Sequence, residues 1–138
     1  MKSTTPQSQN PGTSRNIWIT GASSGIGEAA AMRWAAPGTT LVLSGLTTEQ
    51  IEPVAARCET KGAKVHVIPF DLTKEDEIIE AAKNVQTLVT KIDILANIGG
   101  IGQRSLIIDT PPEVSQRIMD TDFWGHVNVT RHILPFMV

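Results

Sequence analysis

The sequence predicts an α/β domain with a doubly wound parallel sheet, on three observations. Short apolar runs alternate four times with longer segments of helical periodicity. A glycine-rich turn lies where the first run meets the first helix. The runs, Ile17-Trp18-Ile19 and Leu41-Val42-Leu43 among them, are apolar throughout, as are strands covered on both faces. Repeated alternation of β and α marks a parallel sheet with crossover helices rather than a solenoid.

Each element has its own warrant. Residues 1–15 carry Ser3, Thr4, Thr5, Pro6, Ser8, Asn10, Pro11 and Gly12 with nothing apolar after Met1. They are expected to form a disordered polar tail, leaving 16–138 as the folded part. Ile17 to Ile19 is the first strand. Gly25 to Ala36 is alanine-rich and is expected to be helical until Pro37-Gly38 stops it. Leu41 to Leu43 is the second strand. Thr47 and Thr48 cap a helix that sets Ile51, Val54, Ala55 and Cys58 on one face and ends at Gly62. Val65, Val67 and Ile68 form a third strand closing at Pro69 to Asp71. Thr73 is expected to cap a helix whose Ile78, Ala82, Val85 and Val89 recur at amphipathic spacing. Ile92, Ile94 and Leu95 make a fourth strand ending at Asn97. Thr110-Pro111-Pro112-Glu113 reads as a capping box opening a helix that runs to about Pro135. Trp18 and Trp34 are expected in the core.

Composition narrows the function. Of 138 residues, 41% are apolar and 19% charged, with a formal charge of −2, so electrostatics gives no reason to expect a nucleic-acid or anionic-membrane partner. No apolar run reaches the roughly 18 residues of a membrane span. The single cysteine, Cys58, closes no intramolecular disulfide, and the polar start lacks the apolar stretch of a signal peptide. Both point to a reducing, cytoplasmic setting. Tyrosine is absent, which excludes any mechanism needing a tyrosine acid or base on these residues alone. His66, His126 and His132 are read as packing or surface histidines, and no metal-ligand spacing appears.

Thr20-Gly21-Ala22-Ser23-Ser24-Gly25-Ile26-Gly27 lies between a predicted strand and a predicted helix, the context that gives a glycine pattern its meaning. Gly21 permits a tight exit from the strand, Gly25 lets backbone approach a pyrophosphate, and Gly27 lets the helix pack close to the sheet. The first amides of the helix, with the hydroxyls of Ser23 and Ser24, are placed to hydrogen-bond phosphate oxygens at the positive end of the helix dipole.

The spacing Gly-x-x-x-Gly-x-Gly resembles that of the short-chain dehydrogenase/reductase family, and the resemblance extends from about Ile17 to Val138. It implies a Rossmann-like sheet of strand order 3-2-1-4. Asp71-Leu72 matches the family's Asp that hydrogen-bonds the adenine amino group, with the next residue's backbone alongside. Asn97-Ile98-Gly99-Gly100 matches its Asn-Asn-Ala-Gly, whose first Asn steadies the central strand and whose backbone lines the adenine ribose. Asp120 to Gly125, Val129-Thr130-Arg131 and Leu134-Pro135 resemble the family's fifth helix, and Arg131 occupies a basic position that the family sometimes assigns to the cofactor. The resemblance therefore gives Gly21, Ser23, Ser24, Gly25, Ile26, Gly27, Asp71, Leu72, Asn97 and Arg131 as cofactor-binding residues.

The cofactor it implies is a nicotinamide dinucleotide. After the second strand the text is Ser44-Gly45-Leu46-Thr47, with no acid to accept from ribose hydroxyls and no arginine for a 2′-phosphate. Donation from Ser44 and Thr47 to that phosphate favours NADP, with NAD as the alternative.

The family's chemistry is hydride transfer between nicotinamide and a carbonyl or alcohol, with a Tyr-x-x-x-Lys motif, a Ser and an Asn. Three of these four lie beyond Val138 in the family's order, and the fourth position holds Asp122, whose charge opposes alkoxide formation. General acid–base help is typically worth about 10²–10⁴ in rate, so no turnover is expected from these residues, and none is assigned as catalytic. Two readings follow: an oxidoreductase present as a chain ending after the family's fifth helix, and a non-catalytic nucleotide-binding pseudoenzyme. Ile98, Gly99, Leu46 and Asp122 depart from the family pattern and favour the second. A methyltransferase of similar fold is disfavoured by the eight-residue loop and Asp71. An open edge at the fourth strand and an exposed last helix suggest a homo-oligomer or association with a longer relative.

Overall fold

A computed structural model describes residues 14–138 of the chain. The expected tail lies outside the described residues as far as position 13. Arg15 already belongs to the first strand, where it pairs with Thr39.

Four strands, β1 (Arg15–Ile19), β2 (Thr39–Leu43), β3 (Lys64–Val67) and β4 (Ile94–Ala96), form one parallel sheet in the order β3-β2-β1-β4. In register, Ile17 faces Leu41 on one side and Ile94 on the other, and Leu43 faces Val67. All four strands therefore end along one edge. Side chains alternate across a strand, which divides the core in two. Ile17, Ile19, Leu41 and Leu43 pack with Ala31 of α1 (Gly25–Trp34) and with Ile51 and Cys58 of α2 (Thr48–Thr60). Trp18 and Val42 pack with Ile78 and Val85 of α3 (Glu75–Leu88) and with Val129 and Ile133 of α5 (His126–Met137). Trp34 is half-buried against the first cluster. Thr47 caps α2 as expected, accepting from the Gln50 amide at 3.4 Å.

Several boundaries differ from the sequence reading. α1 ends at Trp34, with Ala35 already extended, because the residue before Pro37 is pushed out of the helical region and the turn unwinds ahead of it. Thr73 does not cap α3. Its amide and hydroxyl both donate to Asp71 Oδ1, at 2.9 and 2.7 Å, and Lys74 takes the N-cap position. A carboxylate two residues back is the stronger partner and closes an Asx turn. Ile68 lies just past β3, though its amide still donates to the Leu43 carbonyl at 3.0 Å. Ile92 is buried but precedes β4. The capping box at Thr110 does not form: its hydroxyl donates back to the Leu106 carbonyl, and Pro111 stands at the N-cap of α4 (Pro112–Met119).

The final helix is not one α-helix. Between α4 and α5, Asp120–Gly125 winds as a π-helix, and α5 continues past Pro135 to Met137. His132 meets Glu75 at 3.1 Å and ties α5 to the start of α3. Leu106, Ile107, Ile108, Met119, Phe123 and Trp124 stand exposed on this side, with Phe123 and Trp124 edge to face at 5.2 Å between centroids. No helix among the described residues is long and apolar enough to cross a membrane.

Candidate functional site

Where the four strands end, the connecting segments enclose a cleft of about 360 Å³, in the size range of small-molecule sites and at the edge where parallel sheets bind ligands. Its walls come from the glycine turn after β1, Ser44 to Leu46 after β2, Phe70 to Thr73 after β3, Ile98 to Ile101 after β4, and Arg117 and Thr121.

The three glycines of the turn have different neighbours. Gly21 has φ +67°, and a Cβ there would lie 2.5 Å from Gly99 Cα. A Cβ on Gly27 would lie 1.9 Å from the Gly21 carbonyl oxygen. These two make backbone pack on backbone. Gly25, at φ +54°, has no protein atom within 4 Å of the Cβ position. Beside it Ser24 is the extended N-cap of α1. Its carbonyl accepts from the Glu28 amide at 3.2 Å, while its side chain makes no capping bond. The first amides of a helix have no intrahelical acceptor, so this end of the cleft presents donors.

Thr20 joins the ends of β1 and β4. Its hydroxyl oxygen accepts from the Ile98 and Gly99 amides at 3.0 and 3.1 Å, and the hydroxyl donates to the Ala96 carbonyl at 3.4 Å. Ser44 is buried, and its Oγ accepts from the indole N–H of Trp18 at 2.8 Å. Thr47 spends its oxygen on the cap of α2 and does not line the cleft. The oxygens of the two hydroxyls expected to meet a 2′-phosphate thus both accept within the fold, and neither donates its proton to a partner among the described residues.

Asp71 and Leu72 line the cleft. Burial pushes the Asp71 carboxyl up, but the Thr73 amide and hydroxyl, with Lys74 and Arg117 nearby, together hold it below its ordinary 3.8. Its Oδ1 takes both Thr73 bonds, and Oδ2 carries none among the described residues. Leu72 packs into the space that Gly99 and Gly125 leave: a Cβ on either would lie 2.8 Å from a Leu72 atom.

Gly25, Asn97 and Arg131 do not line the cleft. Gly25 borders it through Ser24 and Ile26. Asn97 donates from Nδ2 to Thr130 Oγ1 at 2.9 Å, bracing the end of β4 against α5. Arg131 stands exposed on α5, next to the Thr130 that Asn97 bonds. Asp122, in the π-helix, accepts from the Ile101 amide at 2.8 Å and so holds the loop after β4. His126 contacts the Gly99 carbonyl through Nε2.

Arg117 and Thr121 enter the cleft unannounced by the sequence. The only trace is a basic residue followed four positions later by Thr121, whose hydroxyl donates to the Arg117 carbonyl at 2.8 Å.

A family model described as short chain dehydrogenase matches residues 15–138. The chain belongs to the short-chain dehydrogenase/reductase family. It is 39% identical over 126 residues to dehydrogenase/reductase SDR family member 7 of Homo sapiens, covering 88% of this chain and 37% of that protein. Among solved structures it is similar to L-sorbose reductase from Gluconobacter frateurii, complexed with NADPH and L-sorbose, at a TM-score of 0.83 and 26% identity, covering 91% of this chain and 48% of that one. It is similar also to an NAD⁺-bound xylitol dehydrogenase, at a TM-score of 0.86 and 26% identity, covering 92% of this chain and 49% of that one. This short-chain dehydrogenase/reductase chain therefore spans about half the length of those two structural neighbours and 37% of the human relative. The cofactors in those two neighbours are both nicotinamide dinucleotides.

Proposed function

We propose that the chain is the dinucleotide-binding part of an oxidoreductase, with the pyrophosphate of a nicotinamide dinucleotide at the start of α1. The observation that carries this reading is the space beside Gly25, free of protein atoms and adjoining an uncommitted Ser24 hydroxyl at a helix N-terminus. Gly21 and Gly27 shape the turn, and Ser23, Ser24 and the amide of Ile26 hydrogen-bond the phosphates. Asp71 Oδ2 accepts from the adenine amine, Leu72 lies alongside, and Asn97 keeps the end of β4 in place. When bound, the dinucleotide supplies the hydride donor or acceptor.

NADP(H) is favoured over NAD(H) because Ser44-Gly45-Leu46-Thr47 offers no carboxylate to repel a 2′-phosphate. Ser44 accepts from Trp18 and keeps its proton to donate, whereas Thr47 does not line the cleft. Arg131 is left out of the set. These 138 residues contain no tyrosine, and Asp122 accepts from a loop amide through Oδ1; the role proposed for them is dinucleotide binding. Hydride transfer belongs to a protein that also supplies the Ser and Tyr-x-x-x-Lys.

A second reading, a non-catalytic module that associates through α4 and α5 with a second copy or a longer relative, is favoured by the exposed Phe123 and Trp124.

Titration with NADPH and with NADH, followed by tryptophan emission, tests the first reading. Trp18 is buried and bonded to Ser44, which lines the cleft, so it reports on occupancy. Saturable change with both, tighter for NADPH, is expected. No change with either overturns the reading.

A further inference from the structure

In the loop after β4, side chains from elsewhere in the fold meet the backbone amides at 98, 99 and 101. Those of Ile98 and Gly99 donate to Thr20 Oγ1 at 3.0 and 3.1 Å, and that of Ile101 donates to Asp122 Oδ1 at 2.8 Å. The Gly100 amide between them has no acceptor among the described residues. Gly100 is exposed and lines the cleft. The peptide that carries this amide is held instead by its carbonyl, that of Gly99, which meets Nε2 of His126, the first residue of α5. A carbonyl oxygen only accepts, so Nε2 carries the proton of that contact. The C=O and N–H of one trans peptide point in opposite directions. With the carbonyl drawn toward α5, the Gly100 N–H is turned away from that helix.

We propose that His126 is a positioning residue: by holding the Gly99 carbonyl it aims the Gly100 amide into the cleft, where that amide donates to an oxygen of the bound dinucleotide. This rests on the dinucleotide reading above. What the imidazole supplies is preorganisation. A peptide between two glycines has many accessible orientations, and without an anchor its plane would have to be fixed as the ligand binds, at a cost in affinity. Thr20 and Asp122 bond the peptides on either side, but neither bonds this one, so its direction is set from α5.

The test follows backbone amide exchange by NMR, with and without saturating NADPH, on the full chain and on His126→Leu and His126→Gln. NADPH titration by tryptophan emission and thermal unfolding of each variant run alongside. In the unsubstituted chain the Ile98, Gly99 and Ile101 amides are expected to exchange slowly in both states, and the Gly100 amide quickly until NADPH slows it. His126→Leu suits a helix but has no side-chain N–H; it should weaken NADPH binding roughly three- to tenfold and lessen the protection of Gly100. His126→Gln keeps a donor and should retain most of both. A histidine that only packs would make Leu and Gln lose affinity alike, and that outcome overturns the assignment. So does a saturable tryptophan response to NADPH that leaves Gly100 exchange unchanged, which is read on the unsubstituted chain and decides the point even where His126→Leu unfolds. If the unsubstituted chain binds no dinucleotide, the proposed function falls first and this inference with it.

Discussion

Gly25 and Gly27 are two residues apart and do different work, which a pair of substitutions separates. Gly27→Ala drives a methyl into the Gly21 carbonyl, and backbone overpacking of this kind costs about 1–3 kcal/mol or more. A drop in the urea midpoint is the expected outcome. Gly25→Val sets its Cβ where no atom from elsewhere in the fold lies within 4 Å; the left-handed backbone costs about 1–2 kcal/mol, the fold is expected to survive, and the side chain fills the space assigned to the phosphate. Fluorescence titration should therefore show a folded protein that no longer binds NADPH, and undiminished affinity would refute the loop assignment. The turn that these glycines make was legible because strand, turn and helix follow one another in the chain. Ser44 was not. Its indole partner, Trp18, lies on the neighbouring strand, and parallel register cannot be read from local sequence. Ser44→Ala leaves a buried N–H without an acceptor, a loss of about 1–3 kcal/mol measurable by chemical denaturation.

Among the elements, β3 carries a pH dependence. The Nε2 of His66 is buried without a hydrogen-bond partner. Burial, aided by repulsion from Lys64, holds the ring below its ordinary pKa of 6.5. The unfolded chain therefore takes up this proton first as the pH falls. The contribution of the neutral ring is complete above 6.5 and is lost on acidification through the lower folded value. Urea midpoints should decline across that window, and His66→Phe should flatten the decline; parallel profiles would assign the acid loss to other groups. The strands and helices themselves were legible, since apolar runs and amphipathic spacing are local signals. Their ends were not, because Thr73 and Thr110 each had a competing partner, the Asp71 carboxylate and the Leu106 carbonyl. The π-helix at Asp120–Gly125 left no trace in the sequence either.

At the scale of the whole molecule, the sheet order followed from the family pattern, and so did most of the cleft, because the ends of parallel strands must converge on one edge. What stayed hidden was the contribution of α4, whose Arg117 reaches the cleft only through tertiary packing. The same side of the molecule leaves Phe123 and Trp124 about half exposed, a patch of the kind that marks an interaction surface. Sedimentation equilibrium should give a mass above 14.9 kDa that rises with concentration, and Phe123→Glu with Trp124→Glu should return it to the monomer value. A monomer in both cases would remove the association reading.

Thr20 sets a boundary for anyone building an inhibitor into this crevice. A hydroxyl has one proton to give and two lone pairs to offer, and here all three are already spoken for by the exit of the neighbouring strand. A synthetic ligand extended toward it finds polar-looking ground with no capacity left, so affinity there has to come from shape.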